Sequence, residues 1–194
     1  MRRRGTKELF EYWNRLRGLR AAPDRSDVEL ATLKHLLNTT MMLEVDAGET
    51  FPVRVSCHGL NVLFACEQRA CSFAALFAPD DRPELRALLR ACHSGFHPIV
   101  AGVAATSEVG DLAFFEAVLL PLGHGADAGA RILAALEPVD VKEWFGKIKA
   151  ACLRLSSARF LDAPTAARPP SVPHGLAARP IHGFTPAGSL RPGV

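Results

Sequence analysis

The chain has 194 residues, enough for one domain with a full hydrophobic core and its tails and too few for two large domains. With 48% hydrophobic and 22% charged residues it is too apolar on average for a disordered protein, and no apolar run approaches the length of a membrane span. The net charge of +3 is modest and its positive part is gathered at Arg2, Arg3, Arg4, Arg15, Arg17 and Arg20; no base-reading pattern is interleaved there, which argues for a solvated helix face and against nucleic acid.

No apolar stretch follows the first arginines, which argues against a secretion signal. The five cysteines, Cys57, Cys66, Cys71, Cys92 and Cys152, are scattered in apolar company and do not make the framework of a small secreted domain. A cytoplasmic location is the expectation.

Residues 1–5 read as a basic end, and from Thr6 the stretch TKELFEYWNRLRG predicts a helix. Thr6 is placed to cap it, Arg15 and Arg17 favour its negative end, and Gly18 can stop it. Leu9, Trp13 and Leu16 share one face, with Tyr12 beside them, and that face must dock on something. RAAPDRSD then reads as an ordered turn and VELATLKHLL as a short helix burying Leu30, Leu33 and Leu37.

The period changes next. TMMLEVDAGETFPVRVSCHG predicts two antiparallel strands around a turn at Asp46 to Glu49, and Phe51, Val53, Val55 and Cys57 alternate with Pro52, Arg54, Ser56 and His58, so one face should be buried. Short helical pieces follow in LNVLFACE and SFAALFA, then a longer helix from near Pro83 with Leu85, Leu88, Leu89 and Cys92 on one side and Gly95 at its end. FHPIVAGVAATSE, DLAFFEAVLLPL and ARILAALEP read as a three-stranded meander, divided by VGD and by the turn composition GHGADAG. Two strands, helices and three strands imply an α+β domain: a five-stranded antiparallel sheet with short helices on one face.

From Val139 to Phe160 the spacing predicts a final amphipathic helix, with Val141, Trp144, Phe145, Ile148, Cys152 and Leu155 opposite Lys142, Lys147, Lys149 and Arg154. Such a stripe can close on the domain's own sheet or on a second copy in a homodimer. Beyond it, half of the 14 prolines lie between Pro164 and Pro192, and residues 162–194 read as a disordered tail.

The residues also carry a resemblance. Leu9, Tyr12, Trp13, Leu16, Arg17 and Gly18 match a Leu-x-x-Tyr-Trp-x-x-Leu-Arg-Gly signature, followed by a turn with Pro23, Arg25 and Asp27. Further matches are Arg54, Gly59, Phe64, Glu67, Ser72 and Phe73, then Pro98, Ile99 and Val100, then Glu116, Leu119, Leu120, Pro121 and Leu122, and Arg131, Ile132 and Leu133. Over Thr6 to Pro138 the chain resembles a stand-alone PAS-like family common in alphaproteobacteria, which implies a PAS-like sheet with flanking helices and a sensory or interaction module. Ala65 and Ala70 stand where that family has glycine, and alanine resists positive φ.

Particular residues invite comparison with several chemistries. Cys71 in EQRACSFAALF invites comparison with flavin photoreceptors, but Ala70, Ser72 and Ala75 occupy the places of the asparagine, arginine and glutamine that grip the flavin. Haem would need an inward axial histidine, for which His58 and His35 are the candidates, and a lone histidine is more often exposed or hydrogen-bonded. Cys92, His93 and His97 lie close in sequence, but Gly95 and Pro98 spoil their helical spacing for a metal. No nucleophile elbow or phosphate loop occurs, and Glu67 and Glu116 have simpler roles, Glu116 as a cross-strand partner of Arg54 or Arg131.

The expectation is therefore a non-enzymatic signalling or regulatory adaptor that acts through protein contacts made by the sheet surface and the flanking helices, without a catalytic residue, metal or cofactor. Leu9, Trp13, Leu16, Trp144, Phe145, Ile148 and Leu155 are the candidate interaction residues. The alternative is a sensor holding a small ligand in a cavity lined by Val55, Leu63, Phe64, Phe73, Leu76 and Phe77.

Overall fold

A computed structural model describes residues 1–123 and 129–161, together with every side chain in them except that of Leu30. The middle of the GHGADAG turn and the tail from residue 162 lie outside the described residues, and so do the expectations placed on them. Helix α1 spans Arg4–Arg17, α2 spans His58–Phe64 and α3 spans Arg82–Ser94. The strands are β1 Thr40–Glu44, β2 Val53–Val55, β3 Ile99–Ser107, β4 Leu112–Leu122, β5 Arg131–Pro138 and β6 Ala150–Phe160. They form one antiparallel sheet in the order β2-β1-β5-β4-β3-β6.

The α+β expectation holds, but the sheet has six strands, and the predicted C-terminal helix is strand β6. The reason is visible in its pairing with β3. Gly102 pairs with Ser157 while Val103 pairs with Leu155, and Thr106 pairs with Cys152 while Ser107 pairs with Ala150, so Ser156 and Ala151 are each one residue extra. The inward residues Ala150, Leu153, Leu155 and Ala158 therefore fall at spacings of three, two and three, which imitates a helical stripe. Trp144, Phe145 and Ile148 precede the strand in a series of turns, where Gly146 takes φ 72°, a conformation that a helix cannot continue through.

Both faces of the sheet carry cores. On the inner face Met41, Leu43, Val53, Ile99, Val103, Phe115, Leu119, Ile132 and Leu153 pack against α2, α3 and the 3-10 turn Ala74–Leu76. On the outer face Met42, Val118, Leu120, Leu122, Leu133 and Ala135 pack against α1 and the 3-10 segment Leu30–Leu36. Helices thus lie on both sides, with the N-terminal helix opposite the short ones. Trp13 is fully buried and its indole Nε1 donates to the Pro121 carbonyl at 2.7 Å, pinning α1 to β4. Leu33 is buried in this layer, whereas Leu37 is partly exposed.

Thr6 does not cap α1. The helix begins at Arg4, inside the segment read as a basic end, and Arg3 stands at its N-cap. The amides that a local cap would satisfy are taken by two glutamates paired across β4 and β5. Glu116 accepts from the amides of Arg2 and Arg3 at 2.7 to 3.0 Å and from the Thr6 hydroxyl; Glu137 accepts from the Thr6 amide at 2.9 Å. A Cβ on Gly5 would come within 2.7 Å of the Glu137 carboxylate, so a side chain there would push that carboxylate aside. The arginines expected beside Glu116 lie elsewhere: Arg54 and Arg131 both pair with Glu44.

The RAAPDRSD stretch is the ordered turn expected of it. Asp27 accepts from Arg20 at 2.6 Å and from the Asp24 amide at 3.0 Å.

Candidate functional site

The sheet and its short helices bring together most of the residues predicted to line a cavity, and bring them together as packing. Leu63, Phe64, Phe73 and Phe77 are buried in the inner core, with Phe73 and Phe77 edge to face at 5.5 Å, and Leu76 lies at its margin. Val55 sits on the other side. Met42 pairs with Val55 and Leu43 with Val53, so Arg54 is one residue extra and the bulge turns Val55 to the outer cluster, contrary to simple alternation.

The candidate interaction residues are also packed inside. Leu9 and Trp13 are buried on the outer face, with Leu16 partly buried beside them. Trp144 and Leu155 are buried in the inner core, where Phe145 stacks on Phe115 at 5.8 Å and Ile148 packs alongside.

The candidate cofactor residues occupy varied places. Cys71 is exposed, its sulfur 3.9 Å from the Glu67 carbonyl. His58 is exposed at the start of α2, and His35 is exposed with its ring 3.0 Å from Glu8 Oε2. Cys92 lies in the inner core, where burial pushes its thiol up, while the His97 ring stands edge-on to Phe160 at 5.5 Å. Among the described residues no group of three or more His, Cys, Asp or Glu is placed to hold a metal ion.

The surface of the described residues carries concavities. One of about 490 Å³ lies at the end of the sheet between Asp111, Leu112, Lys142, Trp144, Lys147 and Ile148; another of about 220 Å³ lies between α1 and the Leu30–Leu36 segment, around Tyr12 and Leu33.

The sheet surface expected to make contacts is open on the outer face of β4, β3 and β6, whose residues the sequence did not single out. Here Leu112 is 40% exposed, Phe114 44% and Val139 49%. The pairing fixes the neighbours: Leu112 and Cys152 flank Thr106, Phe114 and Arg154 flank Ala104, and Glu116 and Ser157 flank Gly102. Val139 lies beside Phe114, because its amide donates to the Phe114 carbonyl at 2.7 Å. The alternation of DLAFFEAVLLPL already set Phe114 opposite Phe115; the sequence did not reveal how far α1 would reach over that side.

The electrostatics of this face are set by the helix cap. Partial burial alone would raise the Glu116 carboxyl, but the Thr6 hydroxyl, the Arg3 and Arg2 amides and the positive N-terminus override it and hold the group below its ordinary range. It stays ionised and engaged. Among the described residues the side chains of Arg2, Arg154 and Arg159 have no acidic partner.

A family model described as PAS domain matches residues 1–137. Among solved structures, the PAS domain of a protein from Colwellia psychrerythraea is similar, at 10% sequence identity and a TM-score of 0.41, over 57% of this chain and 96% of that chain. No curated protein matches.

Proposed function

Because the chain belongs to the PAS domain family, matched across residues 1–137, we propose that it is a signalling or regulatory adaptor without catalysis of its own, acting through contacts with another protein. Family membership supports a signalling or regulatory sensor role in general. The observation that favours an adaptor is the exposed apolar pair Leu112 and Phe114 on β4, whose other face is buried, with exposed Val139 just beyond β5. Exposed apolar side chains grouped on one rigid surface are what a docking partner covers. Phe64, Phe73 and Phe77 meanwhile fill the space a sensor would keep for a ligand. No helix among the described residues is long and apolar enough to cross a membrane.

The test is the chain carrying a photo-crosslinking residue at position 114 on this face, or, away from it, at exposed Leu37 after the Leu30–Leu36 segment or at exposed Glu84 on α3, irradiated in host cells, with native mass spectrometry of the purified protein beside it. A discrete protein adduct at one position, and a native mass equal to the chain, support the adaptor. A small molecule retained in stoichiometric amount, with no protein adduct at any position, would overturn it in favour of a ligand sensor.

A further inference from the structure

We propose that the uncovered outer face around Phe114 docks an acidic amphipathic segment of another protein, with large apolar side chains set between carboxylates. The inference rests on the adaptor reading and names the chemistry of its partner. The apolar part comes from Leu112, Phe114 and Val139, which stand exposed around a low floor of Gly102, Ala104 and Thr106. The floor is low for a structural reason: a Cβ at Gly102 would lie 2.8 Å from the Ser157 hydroxyl. A helix or strand can therefore approach the backbone closely with Phe114 inserted between its side chains.

Charge selects the occupant. Arg154 lies one strand beyond Ala104 from Phe114, Arg159 lies further along β6, and Arg2 starts from the backbone held by Glu116. None of the three has an acidic partner among the described residues. The carboxylates of this part of the face, Glu116 and Glu137, are taken up by the amides of α1 and by Arg3. What the face offers a partner is apolar and positive, and it ends at the groove where Asp111 and Glu143 mix with Lys142 and Lys147.

A second copy laid face to face would set these arginines among their own kind, with unpaired carboxylates only at the far end of the face, where Asp111 and Glu143 stand among Lys142 and Lys147. The chain's residues 162–194 have the wrong sign as well, with Arg168, Arg179 and Arg191 against Asp162. Single-stranded nucleic acid would find one aromatic platform, Phe114, where stacking readers present several.

The experiment is an NMR titration of the isotope-labelled full chain with two synthetic helical peptides that share one apolar stripe, one with glutamate and one with lysine at every polar position. The glutamate peptide should shift amides of residues 102–106, 112–116 and 152–157, more weakly as salt rises, and the lysine peptide should not. Phe114→Ser and, as a second exposed site, Arg154→Glu should each weaken binding by about tenfold or more while leaving the melting temperature close to wild type.

Equal binding of both peptides, binding of neither, or shifts confined to α1 would overturn the proposal. So would a polythymidine strand that outcompetes the glutamate peptide, or a two-chain mass in light scattering that Phe114→Ser reduces to one. The crosslinking result separates the two readings. A partner trapped only at position 37 or 84 leaves the adaptor standing and removes this face from it, whereas no trapped partner at any position removes the adaptor itself.

Discussion

Phe114 and Phe115 are neighbours on one strand with opposite fates. Phe115 is buried on the inner face and stacks on Phe145, while Phe114 stands 44% exposed on the outer one. The contrast extends across the sheet. The inner face is covered from Leu43 on β1 to Leu153 and Leu155 on β6, whereas α1 covers the outer face over β5 and the adjoining part of β4. The residues left open, Leu112, Phe114 and Val139, are as large as many of those the chain buries. The open half is where contact with something else changes the least inside.

Substitutions can break or sharpen this contrast. The largest effects belong to the sealed regions: Phe115→Ala and Trp13→Ala should each cost about 3 to 5 kcal/mol in urea unfolding, through lost burial and the cavity left behind. A near-neutral Trp13→Ala would mean that α1 is not the outer cover. At the border between the two regions, Glu116→Gln should cost about 1 to 2 kcal/mol at neutral pH, because the acceptor loses its charge and one oxygen of its donor-facing pair.

The sign of the pH effect follows from the depressed carboxyl of Glu116. Its contribution is full above the unfolded value near 4.5 and is lost as pH falls through the lower folded value. Stability measured from neutral pH into that acid range should fall less steeply in the glutamine variant than in the wild type.

A smaller effect runs the other way. Ala70 is held at φ 66° and Ala65 at φ 52°, so Ala70→Gly should stabilise by about 0.5 to 1 kcal/mol, read as a higher urea midpoint. The smallest belongs to the open face, where Phe114→Ala should change stability by less than about 1 kcal/mol. A cost equal to that of Phe115→Ala would show that the two sides are sealed alike.

Much of the architecture was legible in the residues. The meander from Ile99 to Pro138, the helix ending at Gly95 and the apolar face of Leu9 and Trp13 all follow from periods and punctuation. What escaped was local and of one kind. Single extra residues at Arg54, Ala151 and Ser156 shift side chains from one face to the other, which sent Val55 to the wrong side and made β6 look helical. Such a bulge depends on the partner strand as much as on its own residues. The helix cap escaped for the same reason: Glu116 and Glu137 lie more than a hundred residues from the amides they hold. The candidate site was the least legible part, because exposure of Leu112 and Phe114 is decided by where α1 ends, and no period records that.

The sixth strand has a consequence for how the protein is made. β3 leaves the ribosome some fifty residues ahead of β6, its neighbour in the finished sheet. Until the stretch up to Phe160 emerges, a nine-residue edge waits with its hydrogen-bonding groups unmatched, close to the kind of strand that other nascent chains can seize. The hazard is removed only once β6 has emerged, and a fragment cut at the family boundary near residue 137 would keep that edge open for good.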